Sequence, residues 1–336
     1  MELSAFSVVD VDPTVPLGGR DRYAEVLDLA ESAESGGLST LWVAEHHFQP
    51  GGVCPSPPVL LAACAARTRR IRLGVLVSVL PFHRPIELAE QYAMVDRLTG
   101  GRLNLGLGSG YIPLEFEGFG VDPATKRERF DRNLEVLLAA FDGREVRAEE
   151  PGAHPVRLNV LPVQRPHPPL WIAVQRREAI PFVARRGASL ALVPYATVAN
   201  LEELAAEIRE FRAHLPAGSR ARVSVAVHLY AGPRPDLARA ALQRYLDARL
   251  ATQSVHFQEK VKRDPHHASA ASIEESGFAL FGSASAVAER LRAYEHAGVD
   301  ELLGIFDFGG LPAEEVGRSV RDLGAAFAAR HGPEKG

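Results

Sequence analysis

Along most of the chain, short runs of Val, Leu and Ile alternate with longer stretches in which apolar residues recur at helical spacing. Runs without polar alternation suit the strands of a parallel sheet, because helices cover both of its faces. Eight such runs stand out: LSAFSVV, STLWVAE, IRLGVLVSVL, RLNLGLGSG, PLWIAVQ, SLALVPY, RVSVAVHLYA and ELLGIFDF. Helical periodicity predicts helices over 21–35, 56–67, 84–98, about 123–142, 176–186, 200–213, 236–250, 283–297 and near 313–330. Eight strands joined by crossover helices close a barrel, so the expected fold class is α/β, a (β/α)8 TIM barrel formed by a single domain over 1–336. Gly36, Gly100, Gly187 and Gly298 fall at the ends of predicted helices, where a left-handed C-cap residue is expected.

Two stretches depart from this rhythm. Residues 143–169, with the proline-rich LPVQRPHPP, read as an extended connection carrying a short hairpin. Residues 251–282 form an insertion after the seventh strand, on the face where barrel active sites sit, and read as a lid; a surface insertion without a role is the alternative. Such a lid would bring Phe257 and Phe278 or Phe281 over the mouth, and its His256, His266 and His267 either respond to pH or are simply solvated.

Composition removes several classes of function. At 336 residues and 46% hydrophobic content the chain can bury a large core. Its net charge of -4, with Lys and Arg scattered, offers no electrostatic footprint for nucleic acid or an anionic membrane, which leaves small molecules as expected partners. Cys54 and Cys64 fit neither a zinc site nor a disulfide framework, so a reducing, cytoplasmic setting is expected. The opening MELSAFSVVD lacks the features of a secretory signal, and no stretch is apolar for long enough to span a bilayer.

Candidate chemistry gathers at the strand ends. The second strand stops at Glu45, His46 and His47, and strand alternation turns Glu45 and His47 one way and His46 the other. No further ligand at metal spacing accompanies them, so no metal is expected. On the fourth strand Gly106, Gly108 and Gly110 share one side, where a flat ring or a phosphate could approach the backbone. Arg176 and Arg177 open the helix after the fifth strand, where positive charge opposes the helix dipole unless an anion sits there; two solvated arginines are the alternative.

Taken together, AEHHFQP, RTRRIRLGVLVSVLPFHRP, DRLTGGRLNLGLGSGYIPLEFEGFGVD and PLWIAVQ resemble the bacterial luciferase-like flavin-dependent monooxygenase family over nearly the whole chain. The resemblance implies a (β/α)8 barrel with reduced FMN at the mouth, supplied by a separate flavin reductase, and oxygenation of a small or medium-sized organic substrate through a flavin hydroperoxide. It makes His46 the catalytic histidine, with His47 and Glu45 fixing its orientation. It places a cis peptide under the flavin ring at Leu76–Val77, and the FMN phosphate against Gln175, Arg176 and Arg177. Gly108 and Ser109 stand where luciferase has a cysteine and a phosphate-binding arginine. Glu115 falls near the flavin, and Phe6, His83, Tyr111 and Tyr195 line a partly aromatic substrate cavity.

HHFQP is also similar to a motif of deazaflavin-dependent dehydrogenases of the same superfamily, so hydride transfer is an alternative, as is a flavin-binding partner subunit without turnover. The helices over PPVLLAACAARTRR and ELAEQYAMVDRL carry apolar residues on more than one face, which together with the resemblance predicts a homodimer.

Overall fold

The computed structural model describes residues 1–11, 21–48, 52–148, 152–252 and 269–331. Its strands are β1 (Glu2–Ser7), β2 (Thr40–Val43), β3 (Arg72–Val79), β4 (Leu103–Gly108), β5 (Leu170–Ala173), β6 (Ser189–Leu192), β7 (Val223–Ala231), β8 (Ala279–Gly282) and β9 (Glu301–Ile305). Every pairing among these strands is parallel, and β1 to β7 followed by β9 close on β1. This is a TIM barrel. The eight strands expected from the sequence form it, and β8 is an addition. The first half of β7 pairs with β6 and β9, while residues 228–231 run on to pair with β8.

The outer layer comprises α1 (Arg22–Ser35), α2 (Pro57–Arg67), α3 (Pro85–Leu98), α4 (Pro113–Gly118), α5 (Lys126–Phe141), α6 (Ile180–Arg185), α7 (Leu201–Ala213), α8 (Pro235–Thr252), α9 (Ala270–Glu275), α10 (Ala284–Arg290), α11 (Arg292–Ala297) and α12 (Ala313–His331). Their starts follow local chemistry. Asp21 accepts from the Ala24 N–H at the head of α1, and Asn200 accepts from two N–H groups at the head of α7. Proline opens α2 and α3, where its missing N–H has no intrahelical partner to lose.

Two expectations change. Gly36 is not left-handed; Gly37 takes that conformation, with φ 73°. Gly36 is small for another reason, since a Cβ there would lie 3.2 Å from the Arg321 backbone of α12. The second half of the 251–282 insertion is not loop: α9 and β8 occupy it, and Phe278 and Phe281 are buried in the core. The short apolar run FALF can bury itself by adding to β7. Phe257, His256, His266 and His267 lie outside the described residues. In the 143–169 connection, Val146 and Val156 form the expected short antiparallel pairing.

The barrel floor is a polar knot inside an aromatic layer. Glu301 accepts from Ser4 Oγ at 2.6 Å and Trp42 Nε1 at 3.0 Å on one oxygen, and from Ser224 Oγ at 2.9 Å on the other. Trp171 Nε1 in turn donates to Ser224 Oγ at 2.9 Å. The two indoles meet edge-on at 5.0 Å, and Gly74 is side-chain-free where a Cβ would fall 2.4 Å from the Trp42 ring. Two buried indoles contribute roughly 4–6 kcal/mol each by burial of apolar area, an upper bound. The floor therefore fixes the barrel from below and leaves the opposite end for chemistry.

Candidate active site

Glu45, His46 and His47 leave β2 while still tied to neighbouring backbone: Glu45 N–H donates to Val77 O and His46 N–H to Cys54 O. All three are buried, and strand alternation separates them as expected. His46 Nδ1 lies 3.1 Å from Glu115 Oε1, and the same oxygen accepts from the His47 backbone N–H at 3.0 Å. On the other side Glu45 Oε1 bonds His47 Nε2 at 3.1 Å and His83 Nε2 at 2.8 Å.

One expectation is corrected by this arrangement. Glu115, not Glu45 or the His47 ring, holds His46, because the 180° alternation aims Glu45 away from it. Glu115 and His83, expected near the flavin and along the substrate cavity, are hydrogen-bonded to His46 and Glu45 respectively. Burial opposes ionisation of Glu45, but the hydrogen bonds from His47 and His83 outweigh it and bring its carboxyl down to about 2. Glu45 is thus a fixed anion, and its Oε2 has no hydrogen-bond partner among the described residues.

Tight packing keeps His46 in place. A Cβ on Gly52 would lie 2.6 Å from its ring. Phe48, next along, has φ 58°, and its ring lies where a Cβ on Gly118 would be 2.3 Å away. A left-handed non-glycine residue is uncommon and costs energy of order 1–3 kcal/mol. Phe48, Phe82, Phe116 and Phe119 form an aromatic wall beside His47.

The Leu76–Val77 peptide is cis, at a register break between Val75 and Ser78. This irregularity explains the alternating glycines of β4 differently from the expectation of an open face. A Cβ on Gly106 would fall 2.4 Å from Val75 O, one on Gly108 2.5 Å from Val77, and one on Gly110 2.9 Å from Val79. The glycines accommodate the bulge of β3; the space is already filled by protein.

Ser109 and Gly110 follow β4 directly. Lys126, at the head of α5, donates to Gly110 O at 3.0 Å. Burial first, and then the nearby Arg176 charge, push its amine below the usual lysine value. Gln175 and Arg176 are exposed at the end of β5, and neither Arg176 nor Lys126 forms an ion pair among the described residues. Arg177 points elsewhere, with Nε 2.6 Å from Glu210 on α7. Two mutually repelling cations beside the strand ends make an anion-attracting corner.

Three more of the expected residues lie on or just after strands β1, β4 and β6. Phe6 and Tyr195 are buried, and the Tyr111 ring meets His46 edge-on at 6.5 Å. Sequence reasoning missed Lys126, Arg249, His228 and a buried ionic cluster. Arg22 Nη2 is 3.0 Å from Asp307 and 3.8 Å from Asp10, Ser7 Oγ donates to Asp307, and Gly309 N–H donates to Asp10. Burial, opposed by Arg22, raises the Asp10 carboxyl to about 6. A signal was present: Asp10 and Asp307 each stand just past a strand run, FSVV and ELLGIF. Among the described residues no cluster of three or more His, Cys, Asp and Glu side chains is arranged to hold a metal ion. Cys54 and Cys64 are free and buried, and no described helix is long and apolar enough to cross a membrane.

Titratable side chains after β2 and the two cations after β4 and β5 gather at the C-terminal ends of the strands, the end at which (β/α)8 barrels carry their chemistry. The luciferase-like monooxygenase profile matches residues 1–301, and the chain belongs to that family. The oxygenase component of a flavin-dependent trigonelline monooxygenase from Acinetobacter baylyi is 25% identical over 297 residues, covering 83% of this chain and 82% of that protein. An uncharacterized protein, y4wF, of Sinorhizobium fredii is 41% identical over 174 residues, 51% of each chain. In that match, as in several others with curated relatives, the chain spans about half of the relative's length or less. The crystal structure of monooxygenase RslO1 from Streptomyces bottropensis superposes with a TM-score of 0.81 at 25% identity, covering 99% of this chain and 100% of that one. An F420-dependent secondary alcohol dehydrogenase shares the fold, with a TM-score of 0.76 at 16% identity over 97% of this chain and 99% of that one.

Proposed function

We propose that this protein is the oxygenase of a flavin-dependent monooxygenase system, binding reduced FMN from a separate reductase at the barrel mouth and oxygenating a small or medium-sized organic substrate. Reduced FMN, when bound, supplies the electrons that activate O2. The observation that carries the reading is the buried His46–Glu115 pair. With Nδ1 engaged by Glu115, Nε2 is left to take up or release a proton, and a positioned imidazole of this kind is worth typically 10²–10⁴-fold in rate. Glu45, ionised between His47 and His83, holds the second imidazole pair beside it.

The residues present fit the cofactor's phosphate. Lys126 and Arg176 repel one another, and a dianion between them removes that repulsion. Gln175, Arg177 and Ser109 flank the corner through the start of the helical turn after β5 and the end of β4. The Leu76–Val77 bulge lies between this corner and His46, where the flavin ring is expected. We further assign a symmetric homodimer through α2 and α3, whose Val59, Met94 and Leu98 are more than half exposed in the single chain; light scattering on the eluted protein tests it.

The decisive experiment is anaerobic titration with reduced FMN and, separately, a reduced deazaflavin, followed by exposure to O2. Tight FMN binding and O2 consumption that drops in His46→Ala support the oxygenase. A preference for deazaflavin without O2 consumption would make the protein a hydride-transfer enzyme instead. Lys126→Met should weaken FMN but leave riboflavin binding unchanged, since riboflavin lacks the phosphate.

A further inference from the structure

Beside the Lys126–Arg176 corner, two arginines outside it are stacked on one phenylalanine. The Arg127 and Arg186 guanidinium carbons each lie 3.4 Å from the centre of the Phe182 ring. A carbon that close can lie only over a face of the ring, and one face cannot hold two, so the guanidiniums sandwich it. Both also reach a single carboxylate, Asp131, at 3.6 and 3.5 Å. Two positive charges against one negative leave one uncompensated, and both side chains remain partly in solvent. Stacking on an aromatic face is favourable for a guanidinium and fixes its plane.

This pair belongs to a wider concentration of charge. Residues 126–132 and 176–186, at the head of α5 and through α6 with the turn before it, contain eight Lys and Arg against three Asp and Glu, a local charge of +5. The whole chain carries -4, so the rest of it carries -9. Counting Glu135 and Glu210, which border the patch, still leaves +3 there. The patch is continuous with the corner: Arg127 follows Lys126 in α5, and Arg176 is the charge that Lys126 feels. A dianion approaching this protein is therefore repelled on average and attracted here.

We propose that the α5–α6 face, centred on the Arg127–Phe182–Arg186 sandwich, is a capture surface for the phosphate of free FMN, which it guides to the Lys126–Arg176 corner. This rests on the reading of that corner as the FMN phosphate site. The bound cofactor touches the corner and not the sandwich, so these arginines raise the rate of arrival and leave the rate of departure alone. Steering of this kind raises association by about 10- to 10³-fold and fades as salt screens it. It suits an oxygenase that must collect reduced flavin from a separate reductase before O2 consumes it in solution.

The test is anaerobic stopped-flow mixing of the protein with reduced FMN and, separately, reduced riboflavin, at ionic strengths of about 0.01 M and about 1 M, where screening sets in beyond about 30 Å and about 3 Å. Wild type is expected to bind FMN at least about tenfold faster at low salt than at high, with riboflavin, which lacks the phosphate, much less affected. Arg127→Gln/Arg186→Gln should slow FMN association at low salt by about fivefold or more, with dissociation within about twofold of wild type and riboflavin little changed. An FMN rate that ignores the substitutions, or an equal slowing of riboflavin, overturns the proposal. Should the double variant fail to fold, Arg185→Glu, exposed and outside the stack, carries the test: FMN association is expected to slow by about twofold or more, and no slowing counts against the surface. FMN that binds saturably, and less well in Lys126→Met, yet arrives at a salt-independent rate would sink the capture surface and leave the corner standing. Failure to saturate would remove the corner, and the capture surface with it.

Discussion

His228→Phe should stabilise the protein, and by more in acid than at neutral pH. The imidazole is fully buried among Tyr195, Tyr245 and Phe308 with both nitrogens unpartnered among the described residues. An unsatisfied buried polar group costs about 1–3 kcal/mol, which a phenyl ring in the same aromatic shell would recover. Burial, followed by the Arg249 charge, pushes this histidine from its ordinary 6.5 down to about 3. Its folded value is depressed, so between those limits the unfolded chain binds a proton that the native state refuses, and stability falls as pH falls. Each unit below 6.5 costs about 1.4 kcal/mol, hence about 2 kcal/mol at pH 5. The variant's advantage should therefore grow from about 1–3 kcal/mol at pH 8 to about 3–5 kcal/mol at pH 5. Urea unfolding of both proteins at the two pH values, followed by circular dichroism, measures it. How well the phenyl packs affects both values equally, so an advantage of the same size at pH 8 and pH 5 would refute the argument.

Other perturbations test the site and the floor separately. Gly52→Ala puts a methyl 2.6 Å from the His46 ring and should cost about 1–3 kcal/mol in overpacking while lowering turnover, read from melting temperature and O2 consumption. Glu115→Gln keeps the shape but not the charge beside His46; the expectation is slower turnover with a shifted pH–rate profile and unchanged FMN affinity, and a superimposable profile would remove Glu115 from the proton chemistry. Glu45 has its folded value depressed from 4.5 to about 2, so its contribution is present above 4.5 and lost as pH falls toward 2. Between pH 4.5 and 3 wild type should therefore lose about 2 kcal/mol that Glu45→Gln does not, measurable by urea unfolding. Glu301→Ala strands the Ser4, Trp42 and Ser224 donors at the barrel floor and should cost more than about 3 kcal/mol; a loss below 1 kcal/mol would mean that the knot contributes little.

The barrel was legible in the sequence because parallel strands covered on both faces must be apolar along their length, and eight such runs with helical spacers have few other ways to close. Helix ends could also be read in part, from Gly100, Gly187 and Gly298, which take the left-handed conformation as expected. So could the opposite facing of His46 and Glu45, which needs only the strand's twofold alternation. The strand β8 was hidden inside a mixed stretch, since a four-residue apolar run carries no periodicity of its own and pairs only because β7 extends beyond the barrel.

What the sequence by itself determined is therefore the architecture and the identity of the strand-end histidines, properties set by local pattern. Which carboxylate serves which imidazole was decided only in three dimensions: Glu115 reaches His46 from 69 positions away, and His83 reaches Glu45 from 38. The same holds for Lys126 beside Arg176 and for Arg249 against Tyr111, 138 positions apart. The β4 glycines look like open space in one strand's sequence and prove to be filled by the bulge of its neighbour. Charge and steric pairing depend on distance through space, and closing a barrel brings every strand end to one rim whatever the separation along the chain.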